Sequence, residues 1–282
     1  MRADLHSHST ASDGTCPPAE VMRRARAAGL DVIALTDHDT VAGYRAASEA
    51  LPPGLTFVPG IELSCRLDGH SVHMLGYLFD LANEELAAEC AKICESRVHR
   101  ARRMVERLAE LGVPVTWEQV SAVAGGGVVG RPHVARAMAE AGAIESPEQA
   151  FGPAWIGTGG RAHVTRYAPG PARGIALIRA AGGVAVLAHP GAETRGWMMP
   201  DDVIAGLAAA GLSGIEVWHP DHGPAQRMRL QALAAGLNLV ASGGSDDHGE
   251  LTGYRIGSDT IAPDAYERLL SQATGATPVH GR

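Results

Sequence analysis

Asp4-Leu5-His6-Ser7-His8 stands at the head of the chain with Asp13 close behind, and the two-apart spacing returns near the other end as Asp246 and His248 in Gly-Gly-Ser-Asp-Asp-His. Side chains two apart on a strand share a face, so each pair can grip one cation. His38, Glu62, His73 and His189 fall likewise at the ends of short apolar runs. A lone histidine on an apolar strand is usually a satisfied core residue. Eight ligand-type side chains at strand ends, with Asp13 in the first loop, point instead to one metal centre built from imidazole and carboxylate, without thiolate.

The elements that must position them alternate. Seven β-rich runs are expected as strands: 3–8, 31–36, 56–64, 71–77, 184–188, 214–218 and 238–242. Helical patterns separate most of them, beginning with Pro-Pro-Ala-Glu, in which prolines open the helix, Glu20 sits near its positive end and Gly29 stops it. Further helices are expected over 41–50, 171–181, 201–210 and 224–235. This is the rhythm of βα units closing a barrel, whose active face lies at the strand ends. Residues 83–169 break the rhythm with a long charged helix and glycine-rich pieces. They are expected as a helical lid subdomain inserted into a barrel of 1–82 and 170–282.

Composition narrows the function. A formal charge of -7 without a basic stripe argues against wrapping a long nucleic-acid duplex. No apolar run approaches 18 residues and no secretory pattern precedes Asp4, so a cytoplasmic protein away from membranes is expected. Four cysteines without a Cys-x-x-Cys pair read as reduced thiols. Lys92 is the only lysine and lies within the charged helix, which removes a carbamylated strand lysine as a metal bridge. No Gly-Lys-Ser/Thr phosphate loop exists.

Together the stretches DLHSHSTASDGT, ALTDHDT, PGIELSC, HMLGY, LAHP and SGGSDDH resemble the PHP (polymerase and histidinol phosphatase) superfamily. With GRPHVARAM and GIEVWHPDH, the chain is similar throughout to its bacterial 3′,5′-nucleoside bisphosphate phosphatases and 5′-3′ exoribonucleases. The resemblance implies a distorted (β/α)7 barrel of the α/β class with three divalent metal ions, manganese first, iron or zinc as alternatives. It implies that His6, His8, Glu62 and Asp246 hold one ion, and that Glu62 bridges to a second on His73 and His189. Asp13, His38 and His248 would hold the third, where many relatives have histidine in place of Asp13, an exchange that keeps a ligand and adds negative charge; the nitrogen and oxygen donors themselves fit manganese, iron or zinc. Six metal charges against three carboxylates leave a formal +3, which attracts a phosphate dianion and makes hydroxide available near neutral pH. The expected chemistry is metal-assisted phosphoester hydrolysis without a phosphoenzyme.

Substrate contacts are expected from Arg131 and His133 in the insertion, Arg195 after the fifth strand and His219 after the sixth, where either His219 or His222 could donate a proton to the leaving alcohol. Trp155 and Trp197 are candidates for stacking on a base. The expected partner is a small nucleotide or short oligonucleotide, with no obligate protein partner. A histidinol-phosphate-type phosphatase and a non-catalytic metal-binding module are the alternatives.

Overall fold

The computed structural model describes residues 1–192 and 197–281. Strands β1 (Ala3–Asp4), β2 (Val32–Leu35), β3 (Thr56–Leu67), β4 (His70–Tyr77), β5 (Val184–Leu187), β6 (Gly214–Trp218) and β7 (Val240–Gly243) pair in chain order. The ends of the sheet meet, because the Leu5 amide donates to Gly243 O (3.3 Å), Asp246 N to His6 O (2.8 Å) and His8 N to Asp247 O (2.9 Å). On the other side Thr36 N donates to Ser7 O at 2.9 Å. The chain from Leu5 to His8 is therefore held on both sides, and the sheet curls into a nearly closed barrel.

Not every strand runs the same way. β4 is antiparallel to both β3 and β5, a departure from the expected all-parallel wall. Its cause is local: Asp68 and Gly69, with φ of 47° and 88°, form a two-residue hairpin turn between Leu67 and His70. β4 thus needs no crossover helix. Its amino-terminal half, carrying His73, reaches the face that the other strands reach with their carboxyl ends. A short strand β8 (Val279–His280), which periodicity did not reveal, adds to β3.

Helices α1 (Pro18–Ala27) and α2 (Tyr44–Glu49) follow the first two strands. Between β4 and β5 come α3 (Glu84–Glu110), α4 (Trp117–Ala124), α5 (Arg131–Glu140), a 3₁₀ turn at Pro147–Phe151 and α6 (Pro171–Ala180). α7 (Asp201–Ala209), α8 (Pro224–Gly236) and α9 (Pro263–Leu270) complete the chain. Asn83 caps α3 by accepting the Leu86 amide at 2.9 Å, and Thr116 and Gln119 cap α4 reciprocally.

Two cores share α3. Leu86, Cys90 and Ile93 of its first half pack with Leu63, Met74, Ile178 and Leu187 against the barrel wall. Ala101, Met104 and Leu108 of its second half join Val120, Val134, Met138 and Ile156 in a separate cluster. The segment 83–169 contains no strand among the described residues.

Candidate active site

The chain enforces closeness at the barrel mouth by backbone fit and buried carboxylates. At Gly244 a Cβ would lie 2.4 Å from His6 Cβ, so the β7 turn can reach β1 only without a side chain there. Asp4 accepts the amides of His6, Ser245 and Gly257 at 2.8–3.2 Å, clamping the same junction. Burial lifts its pKa to about 6. Asp37 accepts Ser9 N, Ser9 Oγ and Ser12 Oγ at 2.6–2.8 Å and so fixes the loop that carries Asp13. Asp39, His189 and Asp246 have φ of 56°, 32° and 49°, a left-handed backbone uncommon for residues with side chains and concentrated at functional sites.

Glu62 lies at the centre. Its Oε2 faces His6 Nε2 (3.3 Å), His8 Nε2 (3.1 Å) and His38 Nδ1 (3.1 Å), while Oε1 faces His73 Nδ1 (2.7 Å) and His189 Nε2 (3.1 Å). One carboxylate therefore divides two sets of imidazoles. Asp246 Oδ1 is 3.2 Å from both His6 and His8. Asp13 Oδ1 lies 3.4 Å from His248 Nε2, and Oδ2 lies 3.8 Å from His38 Nε2. All nine sequence-predicted ligand residues converge. Their donor atoms form compact groups: His6, His8, Glu62 and Asp246; His8, Asp13, His38 and His248; His38, Glu62 and His73. His38 faces two of these groups, whereas the sequence reading gave it to one.

The donors fit bound cations. Four buried atoms, His8 Nδ1, Asp13 Oδ1, His38 Nδ1 and His73 Nδ1, have no hydrogen-bond partner. Facing atoms are near but misaligned for hydrogen bonds, as donors aimed at a shared cation are. Burial alone would raise the Glu62 carboxyl, but His38, His73 and His6 hold it well below the usual range. Asp13 and Asp246 are held low by their histidines in the same way. Burial opposes charge on His8, yet Asp246 and Glu62 lift its pKa to about 10, whereas burial drives His38 down to about 3. The nitrogen and oxygen set, without sulfur, suits a first-row divalent metal.

Residues that the sequence reading passed over support the donors. Glu216 on β6, fully buried, faces His6 Nδ1 at 3.0 Å and accepts the His189 amide at 2.8 Å. A proton on His6 Nδ1 then leaves Nε2 turned to the centre. An acidic residue inside the apolar run Gly-Ile-Glu-Val-Trp was the available signal. Arg97 on α3 donates to Asp39 Oδ2 and Ser64 Oγ, each at 2.7 Å, and Asp39 also accepts Ser64 N and Oγ.

A cleft of about 760 Å³ opens from the cluster toward the insertion. Its wall includes Asp13, His38, Glu62, His73, His189 and His248 together with Arg97, Arg100, Arg131 and Arg166. A side recess adds Arg66 and His163 to Arg100, Arg131 and Arg166. Arg131 is thus on the wall, its guanidinium 5.6 Å above the Phe151 ring. His133 is not, because its buried Nδ1 accepts the Gly130 amide at the start of α5. His219 is not either. It is buried, its Nδ1 accepts the Asp221 amide, and Nε2 faces Asp246 Oδ2 at 3.3 Å. His222 receives the Gly191 amide and is similarly buried. Arg195 lies outside the described residues.

Comparison with known proteins agrees with this geometry. A PHP domain model matches residues 4–114. The 5′-3′ exoribonuclease Rnm of Salmonella typhimurium is 33% identical over 94% of this chain and 91% of its own length. The chain belongs to the PHP family. A 3′,5′-nucleoside bisphosphate phosphatase of Chromobacterium violaceum is 34% identical over 89% of each PHP protein. A crystal structure from Bifidobacterium adolescentis, described as a metal-dependent phosphoesterase, superposes with a TM-score of 0.90 at 35% identity and 96% coverage of both chains. Like these relatives, this PHP protein is a hydrolase of phosphate esters. No helix among its described residues is long and apolar enough to cross a membrane.

Proposed function

We propose that this phosphoesterase removes the 3′-phosphate of nucleoside 3′,5′-bisphosphates, leaving the 5′-monophosphate, and trims short 5′-phosphorylated oligoribonucleotides by the same chemistry. Arg100 carries this reading. Its side chain is buried, its Nε has no hydrogen-bond partner, and it lines both the cleft and the recess. Burial, with Arg97, Arg166 and Arg131 beside it, drives its proton affinity well down. Burial and Arg97 push Arg166 down to about 9. Crowded, desolvated guanidinium groups are unfavourable until an anion arrives, and a phosphate offers them charge-assisted, forked hydrogen bonds. One cleft thus joins a metal basin to a separate anion well, which fits a substrate with two phosphates.

His6, His8, Glu62 and Asp246 would hold one divalent cation, Glu62 with His73 and His189 a second, and Asp13, His38 and His248 a third, with manganese the first assignment. Cations bound there supply Lewis acidity toward phosphoryl oxygen and acidify water. The residues of this chain do the rest. Glu62 orients imidazoles on both sides, Glu216 keeps His6 Nε2 turned inward, and the arginine well fixes the phosphate that is not cleaved. Residues 83–169 act as a lid bringing Arg100, Arg131 and Arg166 to the barrel mouth. A cytoplasmic location completes the reading.

Phosphate release from adenosine 3′,5′-bisphosphate, 3′-AMP, 5′-AMP and histidinol phosphate, with manganese present, tests it. Preference for the bisphosphate with 5′-AMP as product is expected, and preference for histidinol phosphate sinks the assignment. Arg100→Leu should raise KM for the bisphosphate about 10- to 100-fold, the loss of one charge-assisted contact.

A further inference from the structure

The cleft has a third chemical region, aromatic in character, apart from the imidazole–carboxylate cluster and the arginines. His70, at the tip of the β3–β4 hairpin, lays its ring on the indole of Trp197 with centroids 4.5 Å apart and planes within 11°. Both rings line the cleft. Hairpin residues Gly69 and Ser71, on either side of His70, line the arginine recess as well, and His73 on the same strand faces Glu62. The stacked pair therefore borders both the arginine recess and the imidazole cluster.

Trp197 is not a loose side chain. It packs partly against the barrel-wall core, and the segment after it is tied down by Met199 N donating to Pro190 O (3.0 Å) and by Arg229 Nη2 donating to Met199 O (2.7 Å). Trp155 differs, since it packs with the core of the insertion and is absent from the cleft wall. His70 already covers one face of the indole, so an arriving flat ring meets the pair on the imidazole. His70 is itself exposed.

We propose that Trp197 and His70 form the platform on which the substrate's nucleobase stacks. This rests on the nucleotide reading above and deepens it. A base has a π-face whatever its identity, and aromatic stacking raises affinity about tenfold to hundredfold per base with little sequence preference. The enzyme should therefore accept all four bases, purines somewhat better, because the platform reads ring area and not hydrogen-bonding edges.

Two measurements on the manganese-loaded full chain test this. In kinetics, Trp197→Ala should raise KM for adenosine 3′,5′-bisphosphate about tenfold or more with kcat nearly unchanged, and Trp197→Phe should retain most affinity. KM for the base-free 1,2-dideoxyribose 3,5-bisphosphate should not respond to either change. An equal rise for both substrates, or none for the nucleotide, overturns the platform. In binding, 5′-AMP should quench the intrinsic tryptophan fluorescence of the wild type and leave Trp197→Phe unaffected, while ribose 5-phosphate quenches neither. Quenching that survives Trp197→Phe, or is matched by ribose 5-phosphate, also overturns it. If 5′-AMP quenches through Trp197 and bisphosphate is not hydrolysed, the platform stands and the assigned reaction falls.

Discussion

At the scale of single residues, a carboxylate that touches no substrate sets what a ligand can do. Glu216 faces His6 Nδ1 and accepts the His189 backbone amide, so one carboxylate orients two metal-facing histidines. Outer partners of this kind are worth about 10- to 100-fold in metal affinity. Glu216→Gln should weaken metal binding by that factor, measured by titration against a competing chelator, while circular dichroism stays native. Retention of full affinity removes the orienting role. The nine converging imidazole and carboxylate residues were legible because such side chains are conspicuous in apolar strands. Glu216 carried the same signal and was overlooked. Arg97 and Arg100 were harder, because charges on a long helix ordinarily mark its wet face. Only their phase betrays them: Ile93, Arg97, Arg100, Met104 and Leu108 lie on one buried stripe. His219 follows a strand and His133 opens an inserted helix beside a glycine-rich approach, but sequence gives that neighbourhood and not the direction in which a ring faces.

Between elements, the buried pair of Arg97 and Asp39 joins α3 to the segment after β2, immediately beside His38. Removing one member of a buried pair strands the other and costs about 3–5 kcal/mol. Arg97→Met should lower unfolding free energy by that amount in urea titration, and adding Asp39→Asn should restore part of it. Additive losses would show that the two side chains are not coupled. The seven strands and their order could be read from alternation and turn residues. The direction of β4 could not, because alternation is identical for parallel and antiparallel strands. The decisive clue was Asp68-Gly69 between two apolar runs, the commonest signature of a tight hairpin. β8 and α9 escaped because their patterns are brief.

For the molecule as a whole, metal is a ligand of the folded state alone. Loading at a thousandfold excess over Kd contributes about 4 kcal/mol, so chelation should lower Tm by roughly 10 °C as well as abolish activity. An unchanged Tm on reloading would contradict a centre built from the converged donors. The thiols give a pH test. Burial and Asp39 push the Cys94 thiol up to about 11, and burial raises Cys16, Cys65 and Cys90. Thiolate is the reactive form, so at pH 8 only about one Cys94 in a thousand is ready to react. Iodoacetamide labelling of the native protein at pH 8 should be slow and quicken about tenfold per pH unit, whereas denaturant should expose all four cysteines. Rapid labelling at neutral pH would contradict the buried, reduced thiols.

The hairpin return of β4 needs no helix between β3 and β4; α6 covers that wall, and the first half of α3 packs into the same core. α3 is about 40 Å long by its 27 residues, and Arg97 is its middle residue. It behaves as a beam pinned at midspan, one arm packed with the barrel-wall core and the other with the separate cluster of the proposed cap. Modular exchange between relatives must respect that beam. A chimaera that swaps the cap at Asn83 takes part of the barrel wall with it, whereas a cut just beyond Arg97 leaves the wall and pin behind and transfers only the outer arm.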